Sequence, residues 1–325
     1  MRKTGIVLLC FLCALLFYFT FTSAEKVFRS DWQLPASTDL QGPQQRLVLI
    51  SKNMKTPFWD QVAKGAMDQA QKKGASLEVW GSYGNNEKEF LEKIELAIYS
   101  KVDGIIVQGM DTAEFNELTK VKASFYGIPI ITVANDVPME ESLRRTYVGS
   151  DQYLAGKMIA EQLLMDMGPN GNVVLLNDSQ QEHYQMQRLQ GIKDILQKQP
   201  GVKILTAKTG NTREQIISAT QQVLNEMPDA DAFVSINADF SGVMIQEIGK
   251  RFQVEPFFIY SFDDGPDSMA LLGQGKLDGI IEQSPEKMGS TSVELILKWL
   301  DDETMPLEME GYLTDIQMLK AVESP

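Results

Sequence analysis

Two adjacent aromatic residues, Phe58 and Trp59, stand where an apolar run, residues 46–50, gives way to an amphipathic stretch that opens at Pro57. The run is typical of a buried strand, and the stretch after it predicts a helix. In an open α/β sheet, ligands bind at the carboxyl ends of the strands. Flat apolar rings at that position, in place of glycines, favour a flat, partly apolar and uncharged ligand such as a sugar ring. The alternative is a hydrophobic cluster at a helix start.

Polar side chains directly follow several other predicted strands. They are Gln108, Asn135, Asp136, Asn237, Asp263 and Gln283, with Arg188 on the helix after the strand that ends at Leu176. Carboxylates and amides exchange hydrogen bonds with hydroxyl groups, and arginine adds a charged, forked donor. Gathered on one rim, they would bind a polyhydroxyl ligand. Five of them have an alternative: a solvated helix position for Arg188, a turn or cap for Asp263, a helix cap for Asn237, and satisfied loop amides for the two glutamines.

Composition narrows the classes of function. The net charge of −14 argues against a nucleic-acid partner, because neutralising phosphates needs clustered lysines and arginines. Both cysteines, Cys10 and Cys13, lie in the N-terminal apolar run, and His183 is the single histidine. No disulfide, thiolate metal site or histidine-rich metal site is therefore expected in the folded part, and no cofactor is expected.

The N-terminus has the pattern of a membrane-targeting segment. Arg2 and Lys3 precede an uncharged apolar run from Gly5 to Phe21, so the rest of the chain should face outward from the cytoplasm. Residues 22–24 (Thr-Ser-Ala) have the small side chains of a signal-peptidase site. Residues 1–24 are thus either a cleaved signal peptide or a retained membrane anchor. Residues 25–45 are expected to form a linker.

From Arg46 onward, short β-branched runs alternate with amphipathic stretches, which predicts right-handed βαβ units and parallel sheets covered on both faces. The length favours two domains. Predicted strands are 48–51, 77–80, 104–107, 129–133, 172–176, 203–206, 232–236, 257–261 and 278–281. Predicted helices are 57–73, 87–100, 114–126, 152–167, 182–198, 213–227 and 240–251.

Nearly all of residues 46–318 resemble the type I periplasmic-binding-protein family, of the ribose-binding kind. The motifs that carry the resemblance are Pro57-Phe58-Trp59, Ile128-Pro129-Ile130-Ile131-Thr132 before Asn135-Asp136, Tyr147-Val148-Gly149-Ser150-Asp151, Arg188-x-x-Gly191-Ile192, Asn237, Ser261-Phe262-Asp263 and Gly279-Ile280-Ile281-Glu282-Gln283. The resemblance implies an α/β fold of two doubly wound parallel-sheet lobes joined by three crossover strands, with the ligand clamped between them.

The same resemblance implies lobe boundaries and residue roles. The N-terminal lobe would comprise residues 46–136 and 264–284, the C-terminal lobe residues 137–263 and 285–318, and residues 319–325 a tail. Phe58 and Trp59 would sandwich a sugar, with hydrogen bonds from Arg188, Asn237, Asp263 and Gln283, and with Gln108 at a position that is usually polar.

Three departures from the family pattern bear on the identity of the sugar. Ala134 stands where the family usually has an aspartate, with Asn135 and Asp136 after it. Lys55 and Thr56 replace two common asparagines, and Ala238 replaces a common aspartate. A cyclic polyol or a furanose signal molecule is an alternative to an ordinary sugar.

The expected function is extracytoplasmic binding of a small neutral sugar or polyol without covalent chemistry. The closed form would be presented to an ABC permease, or, if the anchor is retained, to a membrane sensor histidine kinase. A transcription regulator of the same architecture is disfavoured, because an apolar segment stands where the helix-turn-helix would be. A glycoside-acting enzyme is disfavoured because no nucleophile elbow, phosphate-binding glycine loop or metal cluster is found in the sequence.

Overall fold

The computed structural model describes residues 13, 15–21, 44–83, 86–180, 182–251, 257–263, 265–303 and 306–321. Residues 1–43 form one unit and residues 44–325 a second. Residues 15–21 are helical, but no described helix is long and apolar enough to cross a membrane. The rest of the predicted signal or anchor segment and nearly all of the predicted linker lie outside the described residues.

Two six-stranded sheets organise the second unit. The strands are β1 (Arg46–Ser51), β2 (Ser76–Gly81), β3 (Gly104–Gln108), β4 (Ile130–Val133), β5 (Thr146–Ser150), β6 (Asn170–Asp178), β7 (Gly201–Thr209), β8 (Ala232–Ser235), β9 (Phe258–Phe262), β10 (Gly279–Glu282), β11 (Tyr312–Thr314) and β12 (Gln317–Lys320). The orders are β2-β1-β3-β4-β5-β11 and β7-β6-β8-β9-β10-β12. All neighbours pair in parallel except β12, which is antiparallel to β10.

Helices cover both faces of each sheet. They are α1 (Pro57–Lys73), α2 (Glu87–Tyr99), α3 (Ala113–Asn116) with the π-helical segment Glu117–Ala123, α4 (Met139–Ser142), α5 (Gln152–Met167), α6 (His183–Leu196), α7 (Arg213–Glu226), α8 (Ala238–Arg251), α9 (Pro266–Gly273) and α10 (Pro285–Leu300). Helices α1 and α10 share one core on the first sheet, and α5 and α6 share one on the second. Strands such as β3 are consequently buried along their whole length, as expected for parallel sheets.

The described chain passes between the lobes three times, after β5, β10 and β11, which agrees with the expected crossovers. Of the described residues, those within 46–150 and 285–314 belong to the first lobe, and those within 152–282 and 317–320 belong to the second. The expected lobe boundaries were therefore wrong. Strand β5 pairs with β4 in the first sheet, β10 pairs with β9 in the second, and α10 packs against α1. The expected tail also begins inside β12.

A close helix crossing fixes the position of α6 in the second lobe. A Cβ atom on Gly156 of α5 would lie 2.1 Å from the carbonyl oxygen of Arg188, and one on Gly191 of α6 would lie 2.1 Å from that of Tyr153. Only glycine allows the two backbones to meet at this distance. The crossing thereby holds the backbone that carries Arg188.

Candidate functional site

The carboxyl ends of the two sheets face a shared cleft of about 860 Å³. Eight of the nine residues singled out in the sequence line it. They are Phe58, Trp59, Gln108, Asn135, Arg188, Asn237, Asp263 and Gln283. The first four come from the first lobe and the other four from the second lobe or its crossover. Groups that are far apart along the chain are thus brought to one crevice.

The start of α1 places the aromatic pair. The hydroxyl of Thr56 caps the helix by accepting from the Trp59 amide at 3.3 Å, and Pro57 occupies the first turn, where its missing N–H costs nothing. The Phe58 and Trp59 rings meet edge to face, with an interplanar angle of 82° and centroids 5.6 Å apart. Two perpendicular neighbours cannot sandwich one sugar ring, so that expectation was wrong. Trp59 is only 8% exposed and belongs to the core, which leaves Phe58 as the freer apolar face.

Arg188 is the centre of the second-lobe wall. Its side chain is 3% exposed, and its guanidinium lies 4.2 Å from the ring centroid of Phe262 and 5.0 Å from that of Tyr184. Arg188 Nε donates to Gln152 Oε1 at 2.7 Å, Nη1 to the Ile236 carbonyl at 3.1 Å, and Nη2 to Asp263 Oδ1 at 3.4 Å. These contacts hold the charged fork rigidly, while its remaining N–H groups can serve a ligand.

Asp263 occupies a strained turn after β9. Its φ angle is 65°, in the left-handed region that non-glycine residues rarely adopt. Its amide donates to the Ile281 carbonyl at 2.9 Å, and its Oδ1 accepts from Gln283 Nε2. Lys55 and Ala134, which also line the cleft, have φ angles of 63° and 64°. Such strain is concentrated at functional sites, because the surrounding structure must hold it in place.

An ion pair joins the two lobes across the cleft. Lys52, just after β1, places its Nζ 2.7 Å from Glu182 Oε1 at the start of α6, with side chains 8% and 25% exposed. Gln108 Oε1 accepts from the Lys52 amide at 2.8 Å, and Asn135 Nδ2 donates to Glu182 Oε2 at 3.4 Å. Two of the predicted site residues therefore support this bridge.

Asn237 and Asp239 form the wall near β8. Asn237 Oδ1 accepts from the Asp239 amide at 3.1 Å, so the side chain caps the start of α8 while also lining the cleft. Burial, followed by the negative charge of Asp263, raises the pKa of Asp239 above its ordinary value. Burial likewise raises the pKa of Tyr184, which keeps its hydroxyl protonated at neutral pH.

Asp136 is the predicted site residue that is not among the lining residues. Its Oδ1 lies 2.6 Å from Arg144 Nε, and its Oδ2 accepts from Arg144 Nη2 at 2.7 Å. Thr132 Oγ1 also donates to Oδ1 at 2.7 Å. The carboxylate is thus committed to a buried arginine in its own lobe, and its assignment as a ligand contact was wrong.

Several lining residues were missed in the sequence: Lys52, Gln152, Asp178, Glu182, Tyr184, Gln185 and Asp239. The rule that polar residues after strands line the cleft would have found Lys52 after β1 and Asp178 at the end of β6. Tyr184 and Gln185 lie within a helix, where no local pattern distinguishes them.

This arrangement combines one apolar ring face with fixed amide, carboxylate and guanidinium groups, which suits a polyhydroxyl ring. Two pairs of opposite charge lie in the lining, Lys52 with Glu182 and Arg188 with Asp263. No group of three or more His, Cys, Asp or Glu side chains in the described part of the chain is placed to hold a metal ion.

Comparison with known proteins identifies the family. Residues 47–304 match the model of the periplasmic binding protein domain. The chain is 23% identical over 277 residues to the ribose import binding protein RbsB of Escherichia coli K12, which covers 84% of this chain and 90% of that protein. It is 26% identical to GanP, a glucose-galactose binding protein from Geobacillus stearothermophilus, with a TM-score of 0.80 over 87% of this chain and all of GanP. It is 23% identical to a chain of the XylFII–LytSN complex, with a TM-score of 0.74 over 86% of this chain and 99% of that one, which shows the shared fold.

The matched family model describes a binding-protein domain, and RbsB and GanP are binding proteins, which agrees with the expectation of a binding protein and not of an enzyme. Together with the two parallel-sheet lobes and their common cleft, the match establishes that the chain belongs to the periplasmic binding protein family, of the type I kind.

Proposed function

We propose that this protein binds one small neutral sugar or polyol between its two lobes, outside the cytoplasm. The main observation in support is the cleft itself, where residue types suited to a polyhydroxyl ring converge from both lobes. Phe58 offers the apolar face, and the linked side chains of Arg188, Asp263 and Gln283 offer donors and acceptors for hydroxyl groups.

A neutral ligand is favoured by the way charges are paired. Lys52 is paired with Glu182, and Arg188 with Asp263. A charged ligand would have to compete with these pairs, whereas hydroxyl groups can use the free lone pairs and N–H groups beside them.

Binding would act by shifting the equilibrium between open and closed lobes. Only a closed cleft lets a ligand contact groups from both lobes at once, so the ligand favours that form. Moving the population from 1:99 to 99:1 needs about 5.5 kcal/mol of differential affinity. A few hydrogen bonds to charged groups, at about 1.5–3 kcal/mol each, supply it.

The closed form would be presented to an ABC sugar importer, a use supported by the similarity to the ribose import binding protein. The alternative output is a membrane-anchored co-receptor that signals to a sensor histidine kinase. It is favoured by the N-terminal apolar run, which would hold the protein at the membrane; the chain also shares its fold with a chain of the XylFII–LytSN complex. Fractionation of cells that express the full-length chain separates the two, since a retained anchor would keep it in the membrane fraction.

A thermal-shift screen tests the binding itself. Wild-type protein is melted with D-ribose, D-xylose, D-arabinose, D-glucose, D-galactose and xylitol in turn. A ligand that binds only the native form at 100 times its Kd stabilises it by about 2.7 kcal/mol. Sugars that leave the melting temperature unchanged across the panel would contradict the proposal.

A further inference from the structure

Gln185, the third residue of α6, has a buried amide group that is only half satisfied. The residue is 1% exposed and lines the cleft. Its Nε2 donates to the Tyr184 hydroxyl at 3.1 Å, but its Oε1 has no hydrogen-bond partner. A buried polar atom without a partner is costly and rare in native proteins. Because Gln185 lines the cleft, a group that enters the cleft can supply the missing partner.

The position of Gln185 separates it from the other buried polar atoms that lack partners. In the described part of the chain these belong to Asn116, Ser150, Asn177 and Thr314, and none of those four residues lines the cleft. Gln185 lies one helical turn before Arg188, on the same side of α6. Its amide thus adjoins the group at the centre of the proposed site.

The chemistry of an amide identifies the missing partner. If the amide is turned end for end, the Tyr184 hydroxyl donates to its oxygen and the nitrogen becomes the unpaired end. In either orientation Tyr184 satisfies one end only. A hydroxyl group both donates and accepts, so it suits whichever end is free.

We propose that Gln185 is a ligand-binding residue that determines specificity, because its free amide end hydrogen-bonds to one hydroxyl of the bound sugar or polyol. The inference rests on the proposed sugar-binding function and adds a residue that the sequence did not single out. A ligand that lacks this hydroxyl leaves the amide unpaired in a closed cleft. Sites of this kind discriminate strongly against such analogues.

The test compares Gln185→Met with Gln190→Met in the full-length protein. Methionine keeps the length of the side chain and removes the amide. Gln190 is exposed on the same helix and donates to Asp194, so it controls for the substitution itself. The affinity of each variant is measured by calorimetry for the sugar in the panel that binds wild type most tightly, and for each of its monodeoxy derivatives.

Gln185→Met should weaken binding of the parent sugar at least about tenfold, whereas Gln190→Met should not. One monodeoxy derivative should bind wild type at least about tenfold more weakly than the parent sugar does. That derivative and the parent sugar should bind Gln185→Met with equal affinity. Without ligand, Gln185→Met should melt no lower than Gln190→Met, because the lost amide was half unsatisfied. A Tyr184→Phe/Gln185→Met double variant controls for the broken bond to Tyr184.

Unchanged affinity of Gln185→Met, or discrimination that persists in it at every hydroxyl, would overturn the inference while leaving sugar binding intact. The melting temperature of ligand-free Gln185→Met could also fall, with the same fall in the double variant. That result would show that the amide has a structural role, and it would overturn the inference as well. Absence of binding to wild type would instead end the proposed function, and this inference with it.

Discussion

Replacing Glu182 by Gln tests whether the ion pair across the cleft helps to hold the lobes together. Lys52 and Glu182 come from different lobes, and their charged atoms are 2.7 Å apart. Strands β1 and β6 each lie one position from the sheet edge opposite the crossovers. Because the crossovers act as the hinge, this rim should separate most when the lobes open.

The magnitude follows from burial and charge. A hydrogen bond to a charged group contributes about 1.5–3 kcal/mol, and Glu182 is 25% exposed, so the lower end of that range applies. A loss of about 1.4 kcal/mol changes an equilibrium tenfold. Removal of the carboxylate also leaves Lys52 without its charged partner in the closed form, whereas water can solvate it in the open form. The ratio of closed to open protein should fall about tenfold, and the apparent Kd for sugar should rise by up to the same factor.

The assay is calorimetric titration of wild type and Glu182→Gln with the best sugar from the panel, at about 0.05 M and 0.5 M salt. Salt screens ion pairs, so wild-type affinity should weaken between these concentrations more than the affinity of the variant does. Glu286→Gln is the matched control. Glu286 pairs with Lys64 at 2.5 Å, but both residues lie within the first lobe and are more than half exposed, so its affinity should match that of wild type.

Equal affinities for wild type and Glu182→Gln at both salt concentrations would refute the reasoning, since the ion pair would then contribute nothing to closure. An equal loss in Glu286→Gln would refute it as well, because the effect would reflect net charge and not the connection between lobes.

Three further predictions concern single residues. Arg188→Ala or Asp263→Asn should abolish sugar binding in calorimetry, because each breaks the hydrogen-bonded wall of Arg188, Asp263 and Gln283. The far-UV circular dichroism should stay native. Retained affinity in both variants would remove these residues from the site. Asp136→Asn should lower the free energy of unfolding, measured in urea, by about 3–5 kcal/mol, because it leaves buried Arg144 unpaired. The affinity for sugar should stay nearly unchanged. A variant as stable as wild type would contradict this. Burial raises the pKa of Asp239, and the negative charge of Asp263 raises it further. Ionisation of Asp239 therefore opposes folding. The folding stability that is present below the ordinary pKa of 3.8 is lost as the pH rises through the raised pKa. Asp239→Asn should therefore be more stable than wild type at pH 7 but not at pH 3, which pH-dependent melting would check.

Local signals predicted most of the elements. Helices Pro57–Lys73 and Gln152–Met167 have the predicted bounds, because Thr56, Pro57 and Gly74 mark the ends of the first and apolar periodicity defines the second. All nine predicted strands are present, and β5, β11 and β12 were missed. Strands β11 and β12 have three and four residues, and β5 contains a threonine, a glycine and a serine, so none shows a strong apolar pattern.

Prediction of the cleft residues succeeded where a strand places them and failed where only contacts do. Asn237, Asp263 and Gln283 line the cleft because residues after parallel strands meet at one edge of a sheet. Asp136 obeys the same rule but is taken up by Arg144, eight residues away. Nothing in the local sequence distinguishes an aspartate that faces a ligand from one that faces an arginine.

The sequence by itself determined the α/β alternation, the family, the strand-end chemistry and the departures at Ala134 and Ala238, because periodicity, caps and residue types are local properties of a chain. The tertiary structure decided which sheet each strand joined, which rings were perpendicular, and which charges met across the lobes. Those outcomes depend on pairings between segments as distant as Lys52 and Glu182, where packing and charge select among arrangements that local pattern leaves equivalent.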